Sequence, residues 1–133
     1  MTIYRLNLFL IFFWTFTTSS CNNPFFEPLF KVPIDTVNSD IQKIIKTAGI
    51  YIEGHKTPID DKVITSLTIQ LINAQNTDIS KDSLIKVQEQ VASKVKGRLK
   101  KPLQYEQYYI IFIKRDSTSE KGFFPHIFKA REL

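Results

Sequence analysis

The sequence predicts an α+β fold, a small two-layer sandwich in which two helices cover one face of a three- to four-stranded sheet. Three observations lead to this prediction. Residues 63–73 alternate apolar and polar side chains, as a strand with one buried face does. Residues 81–99 repeat apolar side chains every three or four positions, as an amphipathic helix does. Residues 105–115 form a second apolar strand segment, and such helices and strands bury their apolar surfaces against one another.

The first half of the domain is predicted to contain one short helix and two strands. Ser39 or Asp40 can cap a helix that continues to about residue 48, where Gly49 stops it. Residues 50–53 are a short strand candidate, and both residues 54–58, with their glycine and proline, and Asp60-Asp61 have the chemistry of turns. The alternating strand over residues 63–73 follows these residues.

The second half of the domain is predicted to contain the long helix and two further strands. Ser80 can cap the helix over residues 81–99, whose acidic start and basic end match the helix dipole. Residues 105–115 are apolar on both faces, which predicts an interior position in the sheet. The strands on either side of the helix, 63–73 and 105–115, are expected to be parallel. A polar turn then leads to residues 123–129, an edge-strand candidate in which Pro125 is tolerated.

The composition is that of a single folded domain. The chain has 133 residues, of which 43% are apolar and 23% are charged, and these are ordinary values for a globular protein. The formal net charge is +5, and removing Arg5, the only charged residue before Cys21, leaves +4. This mildly basic balance is compatible with contact to anionic surfaces but does not require it.

The first twenty residues have the proportions of a signal peptide. Nine residues without a charge, Leu8 to Phe16, follow Arg5 and cover about 14 Å as a helix at ~1.5 Å per residue. The hydrocarbon core of a bilayer is about 30 Å thick, so this segment is short for a permanent span. Small residues follow, and Cys21 comes directly after them. Because it is the only cysteine of the chain, it cannot form an internal disulfide, and its position favours chemical modification.

The residues Ser19-Ser20-Cys21 resemble the end of a lipobox, the recognition sequence of bacterial lipoproteins, with Thr18 where these proteins usually have leucine. The resemblance implies that the Cys21 thiol receives diacylglycerol, that residues 1–20 are cleaved off, and that the new amino terminus is acylated with a fatty acid such as palmitate. It also implies a location in the bacterial cell envelope, periplasmic or surface-facing, with a membrane as partner through the lipid. An ordinary secretory signal and an uncleaved anchor are the alternatives.

Residues 21–37 are predicted to form a tether that carries the lipidated Cys21, and residues 38–133 the single α+β domain. Three prolines between Asn22 and Pro33 disfavour regular backbone hydrogen bonding in the tether. Its apolar side chains are costly to expose to water, so they are expected either to pack on the domain or to enter the membrane surface. These side chains are Phe25, Phe26, Leu29 and Phe30.

The candidate catalytic residues are His55 and the adjacent carboxylates Asp60 and Asp61. Neighbouring carboxylates in a strand point to opposite faces, and in a loop they are usually solvated, so they do not by themselves form an acid–base pair. Zinc needs three or four ligands, and the only other histidine is His126. The chain has four glycines and no nucleophile-elbow or phosphate-loop motif. We therefore predict no enzymatic activity, no metal and no cofactor, with a lipid-anchored hydrolase near these residues as an alternative.

The most distinctive charged feature is a basic cluster at the end of the long helix. One interpretation is contact with anionic lipid headgroups or an acidic envelope polymer. The simpler interpretation is a solvated helix end that complements the dipole. The expected compartment disfavours nucleic acid as a partner. The cluster consists of Lys94, Lys96, Arg98, Lys100 and Lys101.

The predicted function is that of a membrane-anchored envelope lipoprotein with a non-enzymatic domain. This domain is expected to bind another envelope protein or an anionic polymer, through the polar face of its sheet and its basic helix end. A purely structural spacer, in which lipid attachment and fold are the whole role, is the other alternative beside the hydrolase.

Overall fold

A computed structural model describes residues 23–133, so the predicted signal peptide over residues 1–20 and the lipidation site Cys21 lie outside the described residues. The α+β class is confirmed, since the described part contains two α-helices and five strands. The elements are, in chain order, β1 (Phe25–Phe26), α1 (Ile34–Ile44), β2 (Gly49–Ile59), β3 (Lys62–Ile72), α2 (Lys81–Arg98), β4 (Gln107–Arg115) and β5 (Glu120–Lys129). Short 3-10 helices cover Pro102–Gln104 and Ala130–Glu132.

The five strands form one mixed sheet in the order β1-β2-β3-β4-β5. The strands β3 and β4, which α2 connects, are parallel, with Ser66 opposite Gln107 and Ile72 opposite Ile113. The other neighbouring strands are antiparallel. The parallel pairing of the two central strands is therefore as predicted, but the prediction of three to four strands was too low. The additional strand is β1, an edge strand that comes from the predicted tether.

Both helices cover the same face of the sheet. Alternate residues of a strand point to one face, and alternate residues of β3 and β4 are fully buried together with side chains from both helices. The fully buried members of this core include Val37, Ile41, Leu67, Ile69, Leu71, Val91, Val95, Tyr108, Ile110 and Phe112. The polar alternates of β3 therefore lie on the other face, which no helix of the described residues covers.

The first helix differs from its prediction at both ends. It covers Ile34–Ile44, and Pro33 precedes it, where the fixed φ of proline suits the start of a helix. Asp40, which was expected to cap the helix, lies inside it and forms an ion pair with Arg98 of α2. Val37, which the predicted division of the chain placed in the tether, is fully buried in the core. The segment that joins the tether to the domain is thus part of the first helix.

The turn predicted over residues 54–58 is wrong, because these residues continue β2. Gly54 pairs with Phe26 of β1, and a Cβ atom at Gly54 would lie 2.4 Å from the Phe26 ring. Glycine is needed here because the aromatic ring occupies the space of its missing side chain. The glycine that was interpreted as part of a turn is therefore required by the close approach of β1 to β2.

Pro58 is tolerated in β2 for a reason that depends on the edge of the sheet. The Lys56 amide donates to the carbonyl of Pro24, the residue before β1, at 2.9 Å, so alternate residues of β2 direct their nitrogen atoms away from β3. The Pro58 nitrogen points to the same side, where the edge strand β1, Phe25–Phe26, no longer runs alongside, and no ladder hydrogen bond is lost. The turn predicted at Asp60-Asp61 is confirmed, and Asp60 there has a φ of 53°.

The remaining elements agree with their predictions to within a few residues. The alternation of β3, the helix α2 and its cap are confirmed, since the Ser83 amide donates to the Ser80 hydroxyl. The strand β4 is an interior strand, as its two apolar faces predicted. β5 begins at Glu120, three residues earlier than expected. The turn before it is short because the Asp116 carboxylate accepts from the amides of Thr118 and Ser119.

The part of the predicted tether after residue 23 packs on the domain. The Phe26 ring lies 6.2 Å from the Tyr105 ring, and Phe26 and Phe30 both pack against the core. Phe25 and Leu29 remain exposed over 47% and 63% of their surfaces. Packing on the domain is thus confirmed for Phe26 and Phe30, and Phe25 lies against the His55 ring while remaining half exposed, whereas Leu29 is the most exposed of the four.

Candidate interaction surfaces

The face of the sheet opposite the helices, called here the open face, presents side chains in rows across several strands. Strand register defines each row, because paired residues point to the same face. One row consists of Glu53, Thr68, Tyr109 and Ile127. The next row consists of Tyr51, Gln70 and Ile111.

The open face combines exposed apolar groups with neutral polar groups. Tyr51 is 48% exposed and Ile127 is 53% exposed, whereas Tyr109 between them is half-buried. Hydrogen bonding to the Glu53 carboxylate and its negative charge raise the pKa of the Tyr51 phenol above its usual value of 10. Tyr51 therefore remains a neutral hydrogen-bonding group at neutral pH.

One end of the open face is more strongly apolar. Ile72 and Ile113 form a cross-strand pair, and Ile113 pairs in turn with Gly122. A Cβ atom at Gly122 would lie 2.7 Å from the Cδ1 atom of Ile111, so the isoleucine side chains cover this glycine. Ile113 is only 6% exposed although it points away from the helices. The isoleucines thus shield one another on a face that no helix within residues 23–133 covers.

The predicted basic cluster divides into residues with different environments, and two of its members make tertiary contacts. The Lys96 Nζ atom donates to the carbonyls of Ala130 and Leu133 at 2.7 and 3.2 Å. The Arg98 Nε atom lies 2.8 Å from the Asp40 carboxylate. Lys96 therefore connects α2 to the last residues of the chain, and Arg98 connects the two helices.

The other three members of the cluster are exposed at two separate places. Lys94 lines a shallow groove between the helices, where Lys86 and Glu89 lie nearby. Lys100 and Lys101 follow the end of α2. None of the three forms an ion pair with another residue of the segment 23–133. The five predicted residues thus do not form one binding surface, and only the pair after the helix combines adjacency with exposure.

The residues of the hydrolase alternative lie apart. His55 stacks on Phe25 at a ring-centroid distance of 4.7 Å, and its Nδ1 atom lies 3.1 Å from the Thr57 hydroxyl. Asp60 and Asp61 form the exposed turn after β2, five and six residues further along. At about 3.3 Å per residue, a strand places them roughly 16 Å or more from His55. The structure gives no support to a site built from these side chains.

The second histidine is also remote from the first. His126 lies in β5 and packs against Phe128 at a ring-centroid distance of 4.4 Å. The strands β3 and β4 separate it from His55. Within the segment that the structure describes, no group of three or more His, Cys, Asp or Glu side chains is arranged to hold a metal ion.

Two polar side chains are fully buried, of which Gln88 was not identified from the sequence. Gln88 is fully buried in α2 and its Nε2 atom donates to the Phe124 carbonyl at 2.8 Å. Its spacing from Leu84 and Val91 places it within the apolar stripe, and this spacing was the available signal. Tyr108 is also fully buried, and burial raises the pKa of its phenol to about 12. Both side chains belong to the core and not to an accessible site.

Comparison of the chain with protein-family models, with curated proteins and with solved structures finds no match. Between residues 23 and 133, no helix is long and apolar enough to cross a membrane.

Proposed function

We propose that this chain is the precursor of a bacterial envelope lipoprotein whose folded domain binds another envelope protein through the open face, without catalysing a reaction. The membrane attachment in this proposal is the lipid on Cys21. Its support is the order of a single positive charge, nine residues without a charge, small residues and then the only cysteine. Lipid chains buried in a bilayer contribute about 0.8 kcal/mol per CH₂ group, so two or three chains anchor a protein firmly.

The observation that carries the binding proposal is the chemistry of the open face. A sheet that faces water on one side usually has polar side chains there. The open face instead exposes Tyr51 and Ile127, and Tyr109 and Ile111 lie between them in neighbouring rows. Aromatic and aliphatic groups on a surface with few charges are typical of protein interfaces, where tyrosine is enriched.

The composition of the open face also favours a protein over an anionic polymer as the partner. The two rows contain hydroxyl, amide, phenol and aliphatic groups, and Glu53 is the only charged residue in them, whereas the neighbouring row of His55, Ser66 and Gln107 ends in the single lysine Lys129. A polyanion requires clustered positive charge. The exposed lysine pair after α2 is not part of these rows.

Photo-crosslinking in native cells tests the binding surface. A photoreactive phenylalanine analogue replaces Tyr51 on the open face or, as the control, Ser93 on the exposed side of α2. We expect a discrete adduct with one envelope protein from position 51 and not from position 93. Ile127→Asp should remove the adduct, because it introduces a charge into the apolar surface. The absence of a discrete adduct at position 51, or the same adduct at both positions, would contradict the proposal.

Intact-mass analysis tests the anchor independently. The protein isolated from membranes should begin at Cys21 and carry the added mass of diacylglycerol and one fatty acid. Cys21→Ser should remove both the added mass and the association with membranes. A bare thiol at Cys21, or residues 1–20 still attached, would end the lipoprotein proposal.

A functional assay separates the binding domain from a structural spacer. If Tyr51→Ala and Ile127→Asp leave the cellular phenotype unchanged whereas Cys21→Ser abolishes it, lipid attachment and fold are sufficient. Loss of function in all three variants supports a partner on the open face.

A further inference from the structure

The chain enters the domain at one particular end of the sheet. This end, called here the hairpin end, is the one at which the Asp60-Asp61 turn joins β2 to β3. β1 runs antiparallel to β2, and the Pro24 carbonyl accepts from the Lys56 amide. Continuing β1 backwards from Pro24 therefore leads toward Pro58 and the turn. Cys21 lies three residues before Pro24, and three residues of extended chain span at most about 11 Å.

The carboxyl end of α2 lies at the same end of the molecule. β4, which follows α2, begins with Gln107 opposite Ser66, and the Glu106 amide donates to the Thr65 carbonyl near the start of β3. The segment after β1 also crosses to this place, because the Lys100 amide donates to the Leu29 carbonyl at 2.9 Å. The segment after β1, which contains Leu29, and the residues after α2 thus form one continuous backbone edge.

This edge, called here the contact edge, consists of Leu29, Lys100, Lys101 and Leu103. Leu103 is 95% exposed and Leu29 is 63% exposed, the two largest exposed fractions among the large apolar side chains of the described residues. Lys100 and Lys101 are exposed, and neither forms an ion pair with another residue of the described chain. Exposed apolar side chains beside lysines without ion-pair partners are typical of protein surfaces that enter the headgroup layer of an anionic membrane.

We infer that the domain lies with its contact edge against the membrane that holds its lipid, with Leu29 and Leu103 in the headgroup layer and Lys100 and Lys101 on anionic lipid headgroups. This inference rests on the proposed lipid attachment at Cys21, which keeps the hairpin end close to the bilayer. The open face then stands away from the bilayer plane and is accessible to a protein partner.

Depth-dependent quenching of a fluorescent label tests the orientation. The full lipoprotein is reconstituted into vesicles of phosphatidylethanolamine and phosphatidylglycerol, or of phosphatidylcholine alone, each with a nitroxide on the lipid headgroup. The label is attached to Gln104→Cys beside Leu103 or, as the control, to Gln75→Cys at the opposite end. β3 alone spans about 33 Å between these ends. Cys21 is the only native cysteine, so in the acylated protein the introduced thiol is the only reactive one.

We expect the label at position 104 to be quenched several-fold more strongly than the label at position 75, and more strongly in anionic than in zwitterionic vesicles. Each lysine at an anionic surface changes the ratio of domains in contact with the membrane to domains away from it by about fivefold. Lys100→Glu together with Lys101→Glu should therefore lower this ratio by about 25-fold or more. The matched control is Lys114→Glu with Lys121→Glu, an exposed cross-strand pair at the opposite end, which should have little effect. Leu103→Ser should also reduce quenching at position 104.

The outcomes separate this inference from the proposed function. If the protein floats with the vesicles and Cys21 carries lipid, but both labels are quenched equally, the orientation is wrong and the lipoprotein proposal stands. If both double lysine variants reduce quenching to the same extent, the overall positive charge of the domain attracts it to the membrane, and the contact edge has no specific role. If the protein does not float and Cys21 is a bare thiol, the lipoprotein proposal fails, and the orientation fails with it.

Discussion

The two faces of the sheet belong to the same strands but have opposite environments. In β3, Leu67, Ile69 and Leu71 are fully buried beneath the helices, and the alternate residues between them, Thr68 and Gln70, remain partly exposed. This difference follows directly from the two-residue period of a strand. It shows that the covered face is determined by the need to bury apolar surface, since its side chains form one continuous core.

The open face does not obey the same rule, and β4 shows this most clearly. Tyr108, Ile110 and Phe112 fill the core. Their alternates Tyr109 and Ile111 lie on the open face, remain partly exposed and are covered by no helix of the described residues. Folding gains little from apolar groups that remain near water. The comparison of the faces therefore separates residues that stabilise the fold from residues that are available for a partner.

The largest expected effect is on the covered face. Phe112→Ala should lower the free energy of unfolding by about 3–5 kcal/mol, because it removes a fully buried aromatic side chain and leaves a cavity. Ile127→Ala on the open face should change it by less than about 0.5 kcal/mol. Urea unfolding of the two variants measures both values. Similar losses would show that the open face contributes to stability and would remove the distinction.

The next effect concerns the pairing of β1 with β2, which joins the predicted tether to the sheet. Gly54→Ala should cost about 1–3 kcal/mol, because the new methyl group overlaps the Phe26 ring, and it should also increase proteolysis near β1. Gly97→Ala is the control with the opposite sign. A Cβ atom at Gly97 meets no atom within 4 Å, so alanine in α2 should stabilise the protein by up to about 1 kcal/mol. Two variants with equal stability would contradict the close packing at Gly54.

Two ion pairs extend the comparison between covered and exposed positions. Arg98→Ala should cost about 1–3 kcal/mol, since it leaves the Asp40 side chain, 11% exposed, without its cationic partner. Arg115→Ala should cost at most about 1 kcal/mol, because both partners of the Arg115–Glu120 pair are about half exposed. Double-mutant cycles by thermal unfolding give the two coupling energies. A larger coupling for the exposed pair would reverse the expected order.

The smallest expected effect is local and depends on pH. Hydrogen bonds from Thr118, then from Ser119, lower the pKa of Asp116 to about 2. Because the folded value is depressed, the turn is stabilised at pH values above the ordinary 3.8 and loses this stabilisation as the pH falls through about 2. The carboxyl resonance in an NMR titration should therefore stay in its ionised position between pH 6 and pH 3. A midpoint near 3.8 would disprove these hydrogen bonds.

Sequence reasoning succeeded where the signal is local. The alternation in β3, the apolar stripe of α2 and the Ser80 cap each depend on residues that are close along the chain. The two apolar faces of β4 also indicated its interior position. The prediction from the sequence failed at Gly54 and Pro58, because the roles of these residues depend on β1, a two-residue strand that no local pattern reveals.

The candidate binding surface was predicted only in part. The polar face of the sheet was named from the alternation of β3, but its apolar residues come from β2, β4 and β5 and are brought together by register. The basic cluster was identified as one feature, whereas Lys96 and Arg98 have distant partners. Contacts between residues that are far apart in the chain leave no signal in a local charge pattern.

By itself, the sequence determined the α+β class and the parallel connection through α2, because periodicity is a property of neighbouring residues. The lipobox-like motif that ends at Cys21 stays a prediction. Only the tertiary structure decided that β1, a part of the predicted tether, joins the sheet and which lysines remain exposed beside Leu29 and Leu103. The physical reason is that pairing at an edge and burial depend on where the chain returns in space.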